Sequence, residues 1–232
     1  MPDDKDILYI LKPDLEPEEL RYSLRSVEKN LPHRRVWFAG GQPRGFAPDG
    51  RIIYTQQGAS KWDKIKNTML WATKCEDLSE WFYLFNDDFF VMKPFEGEFI
   101  NYIDGTLEER IEELKPLNPW LTPYARTIYK ANEELKTLGK PTLNYEVHLP
   151  MLMHKPDVAR LITTCSSPQM RSIYGNLSGE PYIQHKDVKV YDVDEVPDDN
   201  VDFLSTSEDI FAKGRVGVFI RERFPEPSRF EV

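Results

Sequence analysis

Apolar positions in the first ninety residues fall into short dense runs, separated by stretches in which they recur every three or four residues. ILYIL (7–11) is such a run, closed by Lys12 and Pro13, and suits a buried strand. From 17 to 31 the period changes. Leu20, Leu24, Val27 and Leu31 share one face of a helix, with Pro17, Glu18 and Glu19 in its first turn. RVWFAGG (35–41) reads as a second strand ending in paired glycines, and RIIYT (51–55) as a third. A helix follows over 62–72, with Trp62, Ile65, Met69 and Ala72 on one side, and then WFYLF (81–85) as a fourth strand. Strands alternating with helices predict an α/β fold, a mainly parallel sheet flanked by helices on both faces. Ligands of such sheets bind outside the carboxyl ends of the strands. Those ends carry Lys12, Gly40-Gly41 and Asn86-Asp87-Asp88.

After residue 93 the pattern loosens. TLEERIEELK (106–115), the aromatic-rich stretch from Trp120 to Leu138, and PDVARLI (156–162) predict helices. Residues 166–205 are rich in Ser, Pro, Gly and Asp and predict loop around short strands such as VKVYDV (188–193). The expectation is one domain over 1–232 with a more irregular C-terminal half.

The acidic pair in FYLFNDDFF (82–90) raises a chemical question, because carboxylates at the end of a core strand need a partner. Three uses fit. The pair can hold a divalent cation that bridges phosphates, act as general acid or base, or cap a helix or pair with a nearby lysine. Its place at the carboxyl edge of a parallel sheet favours the cation. Asn86 and Asp88, two residues apart, can point the same way while Asp87 reaches a neighbouring loop.

Composition narrows the classes. The 232 residues are 40% hydrophobic and 30% charged, ordinary globular values. A net charge of −9 speaks against a non-specific nucleic-acid binder but allows a local basic pocket. Two cysteines, Cys75 and Cys165, imply no disulfide framework. No leader-like or membrane-spanning stretch stands out, so the expected location is the cytoplasm.

LSEWFYLFNDDFFVMKP (78–94) resembles the segment of GT-A-fold nucleotide-sugar transferases that ends in their metal-binding Asp-x-Asp motif. The resemblance is closest to the Stealth family of capsular polysaccharide and sugar-1-phosphate transferases. EELRYSLRSVEKN (18–30) resembles that family's first helix, EVHLPMLMHKP (146–156) its His-x-Pro motif, and FPEPSRFEV (224–232) its terminal segment. The resemblance implies a GT-A-like catalytic domain, with residues 1–95 binding a nucleotide-diphosphate sugar and 96–232 facing an acceptor hydroxyl. It also implies Mn²⁺ or Mg²⁺ held by Asn86, Asp87 and Asp88. Where the family has Trp-Val-Asp-Gly this chain has Leu11-Lys12-Pro13-Asp14, and Thr206-Ser207-Glu208-Asp209 stands for the late Leu-Asn-Asp-Asn. Those departures favour transfer of the sugar, with release of a nucleoside diphosphate, over transfer of sugar 1-phosphate.

Further candidates follow. Arg21 and Arg25 lie one helical turn apart and can reach a pyrophosphate, or simply pair with glutamates. Of Lys61, Lys64 and Lys66, Lys64 is the one expected to face phosphate. Gly40 and Gly41 can admit a nucleotide close to the backbone, or serve only as a strand exit. His148 is the expected general base toward the acceptor hydroxyl and Arg171 a phosphate contact, both through the family resemblance, beside a catalytic Asp88. His33, His154 and His185 are expected to be structural. Trp120, Tyr124 and Tyr129 stack on a sugar or pack a core. Two rival readings are a non-catalytic nucleotide-sugar-binding module and a transferase acting on modified DNA bases.

Overall fold

The computed structural model of the chain describes residues 4–13, 15, 18–53, 57–95, 100–115 and 122–232. At its centre a parallel sheet is assembled from β1 (Asp6–Leu11), β2 (Val36–Gly40), β3 (Gly50–Ile52) and β4 (Trp81–Phe85). A fifth strand, β7 (Met151–His154), pairs antiparallel with β4 and completes the order β3-β2-β1-β4-β7. WFYLF is thus an inner strand, as its unbroken apolar character predicts.

Alternate residues of β1 divide between two cores. Ile7, Tyr9 and Leu11 pack with Leu20, Leu24 and Val27 of α1 (Glu18–Asn30) and with Leu31 just after it, so the predicted helical face is the buried one. Leu8 packs on the opposite face with Met69 and Ala72 of α2 (Lys61–Ala72). Ser60 and Asp63 cap α2 reciprocally. The helix expected over 62–72 is therefore α2, begun one residue earlier. Tyr54 and Thr55 of the expected third strand lie outside the described residues, as do Asp14, Pro17 and Trp120.

The second half wraps the carboxyl edge. Two short strands, β5 (Phe89–Val91) and β9 (Phe203–Ser205), pair antiparallel, and β6 (Asn101–Ile103) pairs parallel with β8 (Tyr182–Gln184). Asn101 hydrogen-bonds both backbone groups of Leu152 (2.9 and 3.2 Å), blunting the outer edge of β7. The helices α3 (Leu107–Leu114) and α4 (Pro123–Thr137) pack through Leu107, Ile111, Ile128 and Leu135. The shorter α5 (Lys155–Leu161) follows β7 directly.

Two expectations need correction. Residues 170–178, read as loop, form α6 (Met170–Ser178): Met170, Ile173, Tyr174 and Leu177 recur at helical spacing, but the segment is short and set in a Ser-, Pro- and Gly-rich stretch. VKVYDV is not a strand. It touches β9 only through a bridge from Lys189 to Ser205. The last helices, α7 (Glu208–Lys213) and α8 (Arg215–Arg223), cover Phe90 and Leu204 in a satellite core. Among the described residues no helix is long and apolar enough to cross a membrane.

At the amino edge of the sheet Asp6 is fully buried. Its carboxylate accepts from Arg34 (2.8 and 2.7 Å), Trp37 Nε1 (2.9 Å) and the Ser79 backbone (2.8 Å). Replacing it strands several buried donors. Asp6→Ala is expected to lower stability in urea unfolding by about 3 kcal/mol. A loss under about 1 kcal/mol would show that this network does not fasten the edge.

Candidate functional site

The strand β4 ends on Phe85, and the chain then turns through Asn86-Asp87-Asp88 before β5 begins. That turn opens into a cleft of about 570 Å³ at the carboxyl edge of the sheet. The cleft is lined by Asn86 and Asp88 together with His148, Arg171, Glu146 and Lys189. Trp62, Tyr124, Arg110, Lys61 and Tyr191 line it as well. Asn86, Asp88, His148 and Arg171, all singled out from sequence, meet here, together with Tyr124.

The β-ladder explains why Lys189 is present. Asp88 precedes β5, β5 pairs with β9, and the loop at 188–190 lies along β9, with Val190 N donating to Ser205 O (2.9 Å). Asp187 and Lys189, two apart on an extended stretch, turn their side chains the same way. Lys189 Nζ donates to Asp88 Oδ2 at 3.0 Å, with both side chains 15% exposed. Asp187 Oδ2 accepts from His148 Nδ1 at 2.8 Å, and Asp187 Oδ1 from the His148 backbone at 2.9 Å. Burial pushes the Asp187 carboxyl up, but the hydrogen bond and charge of His148 outweigh it and leave it below its ordinary value. With Nδ1 committed to Asp187, Nε2 is the imidazole nitrogen left for chemistry in the cleft.

Arg171, near the start of α6, is 6% exposed and stacks over the Phe89 ring (5.3 Å). One guanidinium nitrogen donates to Leu149 O (2.7 Å), whereas the other is buried without a partner. Burial lowers the Arg171 pKa despite Glu146, Asp88 and Asp187 nearby. Asp88 Oδ1 is likewise buried and unpartnered. A polar atom left so has its desolvation uncompensated. Among the described residues the cleft wall thus includes a buried acceptor, Asp88 Oδ1, and a buried donor, on Arg171, that lack partners.

Asp87 does not line the cleft. Burial, then the charge of Asp88, pushes its carboxyl up to about 6. Glu19 of α1, accepting from Thr206 Oγ1 at 2.6 Å, rises to about 7 through burial and then repulsion from Asp88 and Asp87. Sequence reading missed Glu19, because an acidic residue in a first helical turn is what any helix start shows.

Other expected contacts go elsewhere. Arg25 clasps both oxygens of Glu231 (2.7 and 2.8 Å), and Arg21 bonds the same carboxylate, so both fasten the C-terminal segment to α1. Lys64 is exposed and outside the cleft wall, whereas Lys61 lines it over the Trp62 ring (5.0 Å). Gly40 (φ 87°) and Gly41 shape the strand exit. A Cβ on Gly41 would sit 2.1 Å from Lys12 O, so the close approach there is between β1 and β2. Tyr124 stacks on Trp62 (6.0 Å, 26°) in the cleft, whereas Tyr129 is half exposed. His154 bonds Asp157 (2.7 Å) and Glu80 (2.8 Å).

No protein-family model matches the chain, and no curated protein matches it significantly.

The cleft's fit to the expected Mn²⁺ or Mg²⁺ is incomplete. Of Asn86, Asp87 and Asp88, Asp87 does not line the cleft and Asp88 gives an oxygen to Lys189. Among the described residues no group of three or more His, Cys, Asp or Glu side chains is placed to hold a metal ion. Hard cations want several oxygen ligands at once. Of the three uses considered for the acidic pair, the lysine partner is the one this arrangement displays.

The raised carboxyls make stability depend on pH. A carboxyl whose folded pKa lies above its unfolded value holds an extra proton in the folded state, so stability is full below about 4.5 and lost as pH rises through about 7 for Glu19. Glu19→Gln keeps an oxygen for Thr206 and removes the charge. Urea unfolding at pH 8 should then show a gain on the order of 2 kcal/mol, with little change at pH 4.5. An equal effect at both pH values would contradict the assignment.

Proposed function

We propose that the protein is a glycosyltransferase that moves a sugar from a nucleoside diphosphate sugar to an acceptor hydroxyl. The observation that carries this reading is the His148–Asp187 dyad facing the same cleft as Arg171 and the Asp88–Lys189 pair, outside the carboxyl ends of a parallel sheet. A cleft that holds an oriented imidazole and several guanidinium and ammonium groups suits a reaction in which a proton leaves one oxygen while negative charge builds on another.

The acceptor O–H gives its proton to His148 Nε2, and the freed oxygen pair forms the new bond to the anomeric carbon. The bond from that carbon to the β-phosphate oxygen breaks, and its electron pair departs on the nucleoside diphosphate. Asp187 holds the imidazole in the tautomer that accepts at Nε2 and stabilises the imidazolium that forms. Arg171, with one nitrogen open, is suited to a phosphate oxygen on the leaving group. The stacked Trp62 and Tyr124 supply a flat apolar wall on which a sugar or base ring can lie.

Incubation with a panel of nucleotide sugars and simple hydroxyl acceptors should release a nucleoside diphosphate. Release of the monophosphate instead would mean that the β-phosphorus is attacked, and neither product would leave only a binding module. His148→Ala should lower kcat by between about a hundredfold and ten-thousandfold while donor affinity stays within about twofold. Unchanged turnover in that variant would remove the base from the mechanism.

A further inference from the structure

The cleft wall carries four cationic side chains, Lys61, Arg110, Arg171 and Lys189, against two carboxylates, Asp88 and Glu146. Arg110 is already paired with Glu113 (2.9 Å), which leaves Lys61, Arg171 and Lys189 facing Asp88 and Glu146 on a protein whose net charge is −9. The carboxylates do not neutralise the cations evenly. Glu146 accepts from the backbone of Ser172 (2.9 Å), and Asp88 is bound to Lys189. Arg171, 6% exposed, keeps a nitrogen without any partner. Holding a guanidinium there unmatched costs free energy unless an anion arrives to complete it.

We infer that the charge facing the donor's diphosphate is supplied by this chain, with the Lys189 ammonium, fixed by Asp88, in the place where a divalent cation was expected. The inference rests on the transferase reading above and specifies how its leaving group is neutralised. A diphosphate linking a nucleoside to a sugar carries two negative charges, and the Lys189 ammonium and the Arg171 guanidinium are the cations of the cleft wall that would face them. Asp88 then acts as a positioning residue. It holds the ammonium at the strand end by one oxygen, at 3.0 Å, while the remaining ammonium hydrogens are left for phosphate oxygens. Lysine on a flexible stem would otherwise lose side-chain entropy on binding, so a fixed ammonium stabilises the transition state at a smaller entropic cost.

The test is calorimetric titration of the whole chain with UDP, GDP, CDP, ADP and dTDP, each in excess EDTA and in Mn²⁺. The diphosphate that binds best should show the same affinity within about twofold in both conditions, because the metal contributes no necessary contact. Lys189→Gln should weaken it at least about tenfold, and Lys189→Arg, which preserves the pair with Asp88, should recover most of that loss. Binding that appears only with Mn²⁺, or that Lys189→Gln leaves unchanged in a folded protein, overturns the inference while leaving the transferase reading in place. Binding of no diphosphate in either condition overturns both.

Discussion

Burial of the central strands on both faces is the constraint from which the rest of the molecule follows. Ile7, Leu8 and Tyr9 of β1 and Phe82 to Phe85 of β4 are all covered, so no polar side chain can sit in mid-strand without losing its water. In β1 and β4 and the turn after β4 the carboxylates sit at the two ends, Asp6 at one and Asp87 and Asp88 at the other, and the two ends are treated differently. At the amino end Asp6 meets Arg34, Trp37 and Ser79, and both its oxygens are satisfied. At the carboxyl end Asp88 has one oxygen on Lys189 and one on nothing, and Arg171 nearby has an idle nitrogen. A completed network rigidifies an edge, whereas an incomplete one is what a ligand site looks like before the ligand binds.

The second half of the chain exists in this architecture chiefly to furnish that edge. β5 emerges directly from the acidic turn, β9 pairs with it, and the loop carrying Asp187 and Lys189 is laid against β9. A single backbone ladder thereby brings the Asp187 carboxylate to His148 and a cation to Asp88, residues 39 and 101 positions apart in sequence. The terminal segment is drawn in by Arg21 and Arg25 through Glu231, which commits these arginines to holding the fold together.

What could be read from sequence, and what could not, follows from the same physics. β1, α1, β2, α2 and β4 were legible because each has a single period, two-sided burial for the strands and one apolar face for α1. α6 was not, because its nine residues, MRSIYGNLS, hold an apolar stripe only two turns long, with low-propensity Ser, Gly and Asn between, inside a stretch whose composition reads as loop. β7, only four residues long, reads as part of a histidine motif until its antiparallel partner is known. In the cleft, Asn86, Asp88, His148 and Arg171 stood out through their sequence context. Asp187 and Lys189 did not, since in a polar loop an acid and a lysine two apart are unremarkable until the β9 ladder gives them partners. The arginines of α1 were misleading for a related reason: spacing told which face they share, but not that Glu231 would meet them there.

The central claim is that the incomplete polar edge outside β4 is a site for a diphosphate. The most direct measurement is a crystal structure of the protein soaked with the nucleoside diphosphate that it binds best. The account predicts diphosphate density in the cleft, with phosphate oxygens within hydrogen-bond distance of Lys189 Nζ and the free nitrogen of Arg171. Density that settles elsewhere on the molecule, with Asp88 and Arg171 still unpartnered, would contradict it.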